Sequence, residues 1–126
     1  MSNTAHNKES AVQFLQLVVA RKIEEAYQKY VDPNGKHHNA YFPAGFAALK
    51  QGMIDAHTKF PNTQLSVKHV LGDGEVVAVH SHVKHKPEDR GVAVVHLFRF
   101  QNGKIVEMWD CGMPIPEDSP NADGVF

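Results

Sequence analysis

Apolar side chains recur at helical spacing through the first half of the chain. Between about residues 7 and 31 they return every three or four positions, with acidic and basic side chains between them. This spacing predicts one amphipathic helix, ended by the Asp-Pro-Asn-Gly sequence at 32–35. A short extended arm is predicted at 36–41. A second helix is predicted at about 44–60, where the Pro-Asn pair at 61–62 stops it.

In the second half of the chain the spacing of apolar positions falls from about four to two, which is typical of strands. Strands are predicted at 64–71 and 75–85, joined by a Gly-Asp-Gly turn. Two further apolar runs between 92 and 113 flank Asn102-Gly103, the strongest short signal of a β-hairpin. Residues 117–126 form a predicted tail. Helices followed by an antiparallel meander indicate an α+β fold, with the helices packed on one face of a curved sheet.

Two polar residues, His96 and Asp110, interrupt the apolar runs of this hairpin, and each costs free energy to bury without a partner. Whether they share a face depends on the register, because side chains alternate along a strand. A strict two-residue turn would place His96 opposite Trp109, with Asp110 on the other face. A three-residue turn with a bulge would place His96 opposite Met108, on the same face as Asp110. We favour the bulged register, which gives a mostly apolar cavity holding one imidazole and one carboxylate.

Composition and charge exclude several classes of protein. A chain of 126 residues is long enough for one domain, over residues 1–126, with a buried core. Its net charge of −1 and pI near 6.7 argue against nucleic-acid binding. The first ten residues are polar and no apolar run could span a bilayer, so neither a signal peptide nor a membrane anchor is expected. The single cysteine, Cys111, fits a reducing cytoplasm.

The predicted fold leaves a pocket between the helices and the sheet. A carboxylate in such an apolar cavity is a better proton acceptor near neutral pH, and a neighbouring imidazole can share the proton. The alternative is a buried hydrogen-bonded pair without a reaction. The residues expected to line the pocket are Phe42, Phe46 and Met53 from the helical side, and His96, Trp109 and Asp110 from the sheet.

Nine histidines are an unusual number for this length. His69, His80 and His82 are predicted on one sheet face, where three imidazoles could hold a transition metal. The alternative, which we favour, is a set of solvent-facing or hydrogen-bonded side chains, and no metal is expected. Of the two neighbouring histidines in the extended arm, His37 and His38, the second is the better candidate for a hydrogen bond to a substrate, because Asn39 follows it. The alternative is a structural cap on the arm.

The order of these segments resembles the SnoaL-like polyketide cyclases of the nuclear-transport-factor-2-like superfamily. The resemblance is carried by GDGEVVAVHSH at 72–82, RGVAVV at 90–95 and above all NGKIVEMWD at 102–110. It implies a cone-shaped α+β barrel, often dimeric through its open sheet, with a cofactor-free pocket. In the cyclases an acidic residue on the last long strand acts as acid and base in an aldol ring closure, assisted by a histidine on the preceding strand. Asp110 and His96 occupy the matching positions.

Taken together, these observations predict a cofactor-independent acid–base enzyme, a lyase or isomerase of the aldol cyclase type, acting on a small, partly apolar carbonyl compound. Asp110 would remove a proton α to the carbonyl, and His96 would position Asp110 or the substrate oxygen. His38 or His80 would hydrogen-bond the enolate. The alternatives are a non-catalytic ligand-binding module and, less favoured, a histidine-ligated metalloenzyme. A cytoplasmic homodimer is the expected form.

Overall fold

The computed structural model describes residues 3–126 and shows helices packed on one side of a five-stranded mixed sheet that does not close. The first two residues of the polar N-terminal segment lie outside the described residues. In chain order the elements are α1 (Thr4–Val19), α2 (Ile23–Tyr30), β1 (Val31–His37), α3 (Phe46–Lys59), β2 (Gln64–Asp73), β3 (Val76–Lys84), β4 (Val92–Gln101) and β5 (Lys104–Pro114). The predicted α+β fold class is confirmed. No helix within the described range is long and apolar enough to cross a membrane.

The first predicted helix is wrong in one respect, because it is two helices joined at Arg21. The N–H groups of Arg21 and Lys22 donate to carbonyls three and five residues earlier, which is the Schellman pattern of a helix end. Arg21 has a φ of 66°, in the left-handed region. Glycine usually occupies this position, so an arginine gave no signal of a helix end.

The predicted helix end near residue 31 is confirmed, since α2 ends at Tyr30, but the segment 32–35 that was expected to stop it lies inside β1. This strand is the sheet edge in the order β1-β5-β4-β3-β2 and runs parallel to β5, with a register shift between Val31 and Lys36. Pro33 cannot donate to a ladder, but an edge strand tolerates that loss. The extended arm therefore begins five residues earlier than expected and ends at His37.

The sheet has two unlike faces. The inner face packs under α1, which lies over β2 and β3, while α3 packs mainly against β1 and α2. Phe98 on the inner face is fully buried and makes an edge-to-face contact with Phe14 of α1, with ring centroids 5.9 Å apart. Phe14 makes a second such contact with Tyr27 of α2. These rings join the two layers, and burying each contributes roughly 1.5–3 kcal/mol.

The register of the β4–β5 hairpin differs from both predicted alternatives. Asn102 and Gly103 have φ values of 53° and 78° and form a two-residue turn between Gln101 and Lys104. The bulge lies further along, where Val106 is an extra residue on β5. His96 consequently pairs with Asp110, and the predicted three-residue turn with Met108 opposite His96 is wrong. The expectation that His96 and Asp110 share a face is confirmed.

Candidate functional site

His96 and Asp110 face each other on the inner side of two adjoining strands. Directly opposite residues have Cβ atoms about 5 Å apart. Both side chains are partly buried, and Nδ1 of His96 is buried without a hydrogen-bond partner in the described part of the chain. Burial lowers the pKa of His96, and the charge of Asp110 only partly opposes this. The imidazole is therefore neutral at pH 7 beside an acidic side chain.

Asn39 holds the Asp110 carboxylate in place. Its Nδ2 donates to Oδ2 of Asp110 at 2.9 Å, while its Oδ1 accepts from the Tyr41 N–H, also at 2.9 Å. Its own N–H donates to Nδ1 of His37 at 3.1 Å. The amide is thus fixed from both ends, and the second carboxylate oxygen of Asp110 accepts no hydrogen bond from residues 3–126. The sequence singled out Asn39 only as the neighbour of His38.

The two histidines of the arm are placed opposite to expectation. His37 pairs with Met108 and so lies on the inner side, where its Nε2–H donates to the Pro43 carbonyl at 2.8 Å. His38 points to the outer face and stacks on Trp109, with ring centroids 5.2 Å apart. The structure does not bring His38 to Asp110, because neighbouring residues of an extended chain alternate sides.

Trp109 and His80 also lie on the outer face, away from Asp110. Trp109 precedes Asp110 in β5 and pairs with Leu97. His80 pairs with Val95, and its Nδ1 lies 2.9 Å from Nδ1 of His69. The predicted placement of Trp109 in the pocket wall, and of His80 beside the enolate, is therefore wrong, for the same reason of strand alternation. Within residues 3–126 no three His, Cys, Asp or Glu side chains are placed to share a metal ion.

Three residues predicted to line the pocket, Phe42, Phe46 and Met53, do lie on the helical side of the interior. Phe46 is buried beside Tyr27, and Met53 accepts a hydrogen bond from the Tyr27 hydroxyl at 3.3 Å. The ring of Phe42 packs on Gly52, where a Cβ would come within 2.3 Å of it. Phe46 also lines a cavity of about 460 Å³ between α2, β1 and α3, which is a different place from the His96 and Asp110 pair.

The outer face of β5 carries a charged network. Glu107 accepts hydrogen bonds from His38 at 2.6 Å and from Arg99 at 3.0 Å. The hydrogen bond from His38 is the main cause that lowers the pKa of Glu107, and Arg99 adds to it against a partial loss of solvation. This carboxylate is held ionised by its partners, which indicates a structural role.

Ser81 is an inner-face residue that the sequence named only as the middle of His-Ser-His. It is fully buried, and its Oγ has no hydrogen-bond partner within residues 3–126. The sequence did contain a signal for this placement. Val77, Val79 and Ser81 alternate along β3, so the serine is expected on the same buried face as the two valines.

A family model described as a SnoaL-like domain matches residues 11–108, more than half of the chain. The matched segment includes His96 and ends two residues before Asp110. A search of curated proteins gives no match.

Solved structures of the same fold have low sequence identity to this chain. A protein of Kribbella flavida DSM 17836, provisionally assigned as a ketosteroid isomerase, has a TM-score of 0.76 at 18% identity, covering 96% of this chain and 87% of its own. A protein of Jannaschia sp. CCS1, provisionally assigned as a SnoaL-like polyketide cyclase, has a TM-score of 0.74 at 15% identity, with 86% of each chain covered. AclR of Streptomyces galilaeus, provisionally assigned as a hydroxylase, has a TM-score of 0.73 at 24% identity, covering 88% of this chain and 91% of its own. These likenesses establish the fold.

Proposed function

Because the chain belongs to the SnoaL-like domain family, we propose that it is an acid–base enzyme of the aldol cyclase or isomerase type. Its substrate would be a small, partly apolar carbonyl compound, and the chemistry calls on no cofactor. The observation that carries the proposal is the pairing of His96 with Asp110 on the inner face, with Asn39 holding one oxygen of the carboxylate. The family includes polyketide cyclases and ketosteroid isomerases, whose reactions are of this type.

Asp110 is the proposed base. Its unbonded oxygen takes a proton from the carbon next to the substrate carbonyl; the electron pair of the broken C–H bond forms a C=C bond and the π pair of the carbonyl moves onto its oxygen, giving an enolate. The enolate carbon then attacks a second carbonyl of the substrate, forming a C–C bond, and the oxygen of that carbonyl takes the proton back from Asp110. Alternatively, where the enolate is conjugated with a C=C bond, Asp110 returns the proton to the far carbon of the conjugated system. The first outcome is an aldol closure and the second an isomerisation. Asn39 limits the carboxylate to one orientation in either case.

His96 is the proposed hydrogen-bonding neighbour of the reacting oxygen. Burial lowers the pKa of His96, so the ring stays neutral and does not neutralise Asp110 by forming an ion pair. A neutral imidazole still offers one N–H donor. In an interior of low dielectric constant, a donor aimed at a developing negative charge stabilises it more than water would.

We further propose that the protein forms a homodimer and acts in the cytoplasm. Leu71 and Met113, both on the outer sheet face, are 66% and 53% exposed, which supports a homodimer formed through that face. Sedimentation would measure the mass directly, and a monomer would contradict this part. The free thiol of Cys111 is exposed, which supports a reducing cytoplasm.

The test of the reaction is hydrogen exchange at the α carbon of β-tetralone, a small and largely apolar ketone, followed by NMR in deuterated water. Replacing Asp110 with Asn keeps the shape and removes the base, so Asp110→Asn should slow the exchange about 100- to 10,000-fold. Glu107→Gln is the matched control, because it changes a carboxylate three residues away on the opposite face of β5.

Exchange that survives Asp110→Asn at the wild-type rate would show that Asp110 is not the base. Wild-type protein that binds β-tetralone without exchanging its α protons would instead support the non-catalytic ligand-binding module. Circular dichroism and melting temperature of each variant establish that the fold is intact.

A further inference from the structure

The hydroxyl of Ser81 is a buried donor whose hydrogen-bonding capacity the described part of the chain does not use. Ser81 is 0% exposed, and no group in residues 3–126 bonds to its Oγ. Buried polar atoms nearly always have a partner, because leaving one unpaired costs free energy that an alanine would not. A serine at this position therefore indicates a partner from outside the chain, either a ligand or a water molecule.

Ser81 lies close to the proposed base and its imidazole neighbour. It pairs with Val94, whereas His96 pairs with Val79, so Ser81 and His96 are diagonal neighbours on the same face. Such neighbours have Cβ atoms about 7 Å apart. Among residues 3–126, Nδ1 of His96 is the second buried atom of this face without a partner, and Asp110 lies opposite His96 on the next strand. Three polar side chains thus form a row over β3, β4 and β5.

The surroundings of the row are apolar. The cross-strand neighbours of Ser81 on its own face are Val67 and Val94, and fully buried Val79 precedes it on the strand. None of the three polar members carries a positive charge, and Asp110 is acidic. A carboxylate or phosphate ligand would therefore be repelled, while the oxygen of a ketone, alcohol or phenol would be accepted.

We propose that Ser81 is a substrate-positioning residue whose hydroxyl donates a hydrogen bond to an uncharged oxygen of the ligand, next to His96. The inference rests on the proposed function, because both place the ligand on the inner face, but it concerns binding and not proton removal. It specifies the ligand class as apolar compounds with a neutral carbonyl or hydroxyl oxygen.

The experiment compares two ligands of nearly the same shape, β-tetralone and its oxygen-free counterpart tetralin, by protein-observed NMR titration. Their ratio of dissociation constants isolates the contribution of the ligand oxygen. We expect wild-type protein to prefer β-tetralone, and Ser81→Ala to reduce that preference about fivefold to tenfold, the effect of one hydrogen bond. Ser66→Ala is the matched control, since Ser66 lies on the neighbouring strand but pairs with His82 on the outer face.

The outcomes separate a ligand from a water partner. An unchanged preference in Ser81→Ala, or no preference in the wild-type protein, would overturn the inference and leave a bound water as the partner. Should Ser81→Ala fail to fold, Ser81→Cys keeps the shape of the side chain with one larger atom and replaces the hydroxyl by a weak donor, and the same loss of preference is expected. Asp110→Asn in this titration should keep the preference, so a failure of the proton-transfer proposal is distinguishable from a failure of this one.

Discussion

The two faces of the β4–β5 hairpin use the same strands in opposite ways. On the outer face, Glu107 is bonded to His38 and Arg99, and each of these side chains reaches solvent. On the inner face, His96 and its diagonal neighbour Ser81 each have a buried atom without a hydrogen bond to any described residue. Paired groups in contact with water stabilise a fold modestly. Unpaired groups in the interior cost stability, and that cost is the better indication of a functional site.

The two faces also differ in what they do to ionisable side chains. Partners on the outer face lower the pKa of Glu107 and so favour its charged form. Burial on the inner face lowers the pKa of His96 and so favours its neutral form. A lowered pKa therefore means that the charged form of Glu107 is stabilised on the outer face, whereas the charged form of His96 is destabilised on the inner face.

The largest expected difference between the faces is in packing. Phe98→Ala removes a fully buried ring that contacts Phe14, and should lower the free energy of unfolding by about 3–5 kcal/mol. Leu97→Ala, one residue away on the partly exposed outer face, should cost about 1–2 kcal/mol because solvent fills the space left. Denaturant titration measures both. Equal costs would contradict the assignment of inner and outer faces.

A smaller effect, on the rate of reaction, is expected from Asn39, which holds the Asp110 carboxylate on the inner face. Asn39→Ala removes the donor that orients Asp110, so kcat for β-tetralone exchange should fall about tenfold, with KM nearly unchanged. Asn62→Ala, in the exposed loop before β2, is the control for loss of an asparagine. A rise in KM at constant kcat would place Asn39 in substrate binding instead.

The pH dependence of stability distinguishes a buried histidine from an exposed one. The unfolded chain protonates His96 near its ordinary pKa of 6.5, but the folded protein resists this. Stability should therefore fall as the pH drops below about 6.5, by about 1.4 kcal/mol for each unit by which folding lowers the pKa. In thermal unfolding between pH 7 and pH 5, His96→Gln should flatten this fall. His6→Gln changes an exposed histidine of α1 and should leave the slope unchanged.

The smallest effect is expected on the outer face, at the pair of His69 and His80. His69→Ala breaks an exposed hydrogen bond between two imidazoles and should change the free energy of unfolding by less than about 0.5 kcal/mol. The rate of β-tetralone exchange should stay within twofold of the wild-type rate. A large loss of activity would show that the outer face takes part in the reaction, contrary to the assignment of the reaction to the inner face.

Most of the fold could be predicted, because its signals are local. The hairpin at Asn102-Gly103 and the change of apolar spacing from four to two are properties of short stretches, and both are confirmed. The break at Arg21 was missed because a non-glycine residue took the left-handed position. The extent of β1 was missed because its Pro33 is tolerated only at a sheet edge, and which strand lies at the edge is set by distant pairing.

The candidate site was predicted in part. His96 and Asp110 were selected as polar interruptions of apolar runs, and they do share a face. Trp109 was expected to line the pocket and His80 to hydrogen-bond the enolate, although alternation from Asp110 and Ser81 puts both on the other side. Asn39 and Ser81 acquire their meaning only from contacts, or missing contacts, across the fold.

The sequence by itself determined the order of elements, the hairpin turn and the two residue types at the centre of the proposal. Periodicity and turn chemistry are encoded within a few residues, so they can be recognised without knowing what packs against them. The tertiary structure alone decided that the bulge falls at Val106, that His96 meets Asp110 and that Asn39 reaches it across 71 positions. Register and long-range contacts depend on the sum of many weak interactions between distant segments, and no short stretch of the chain contains that sum.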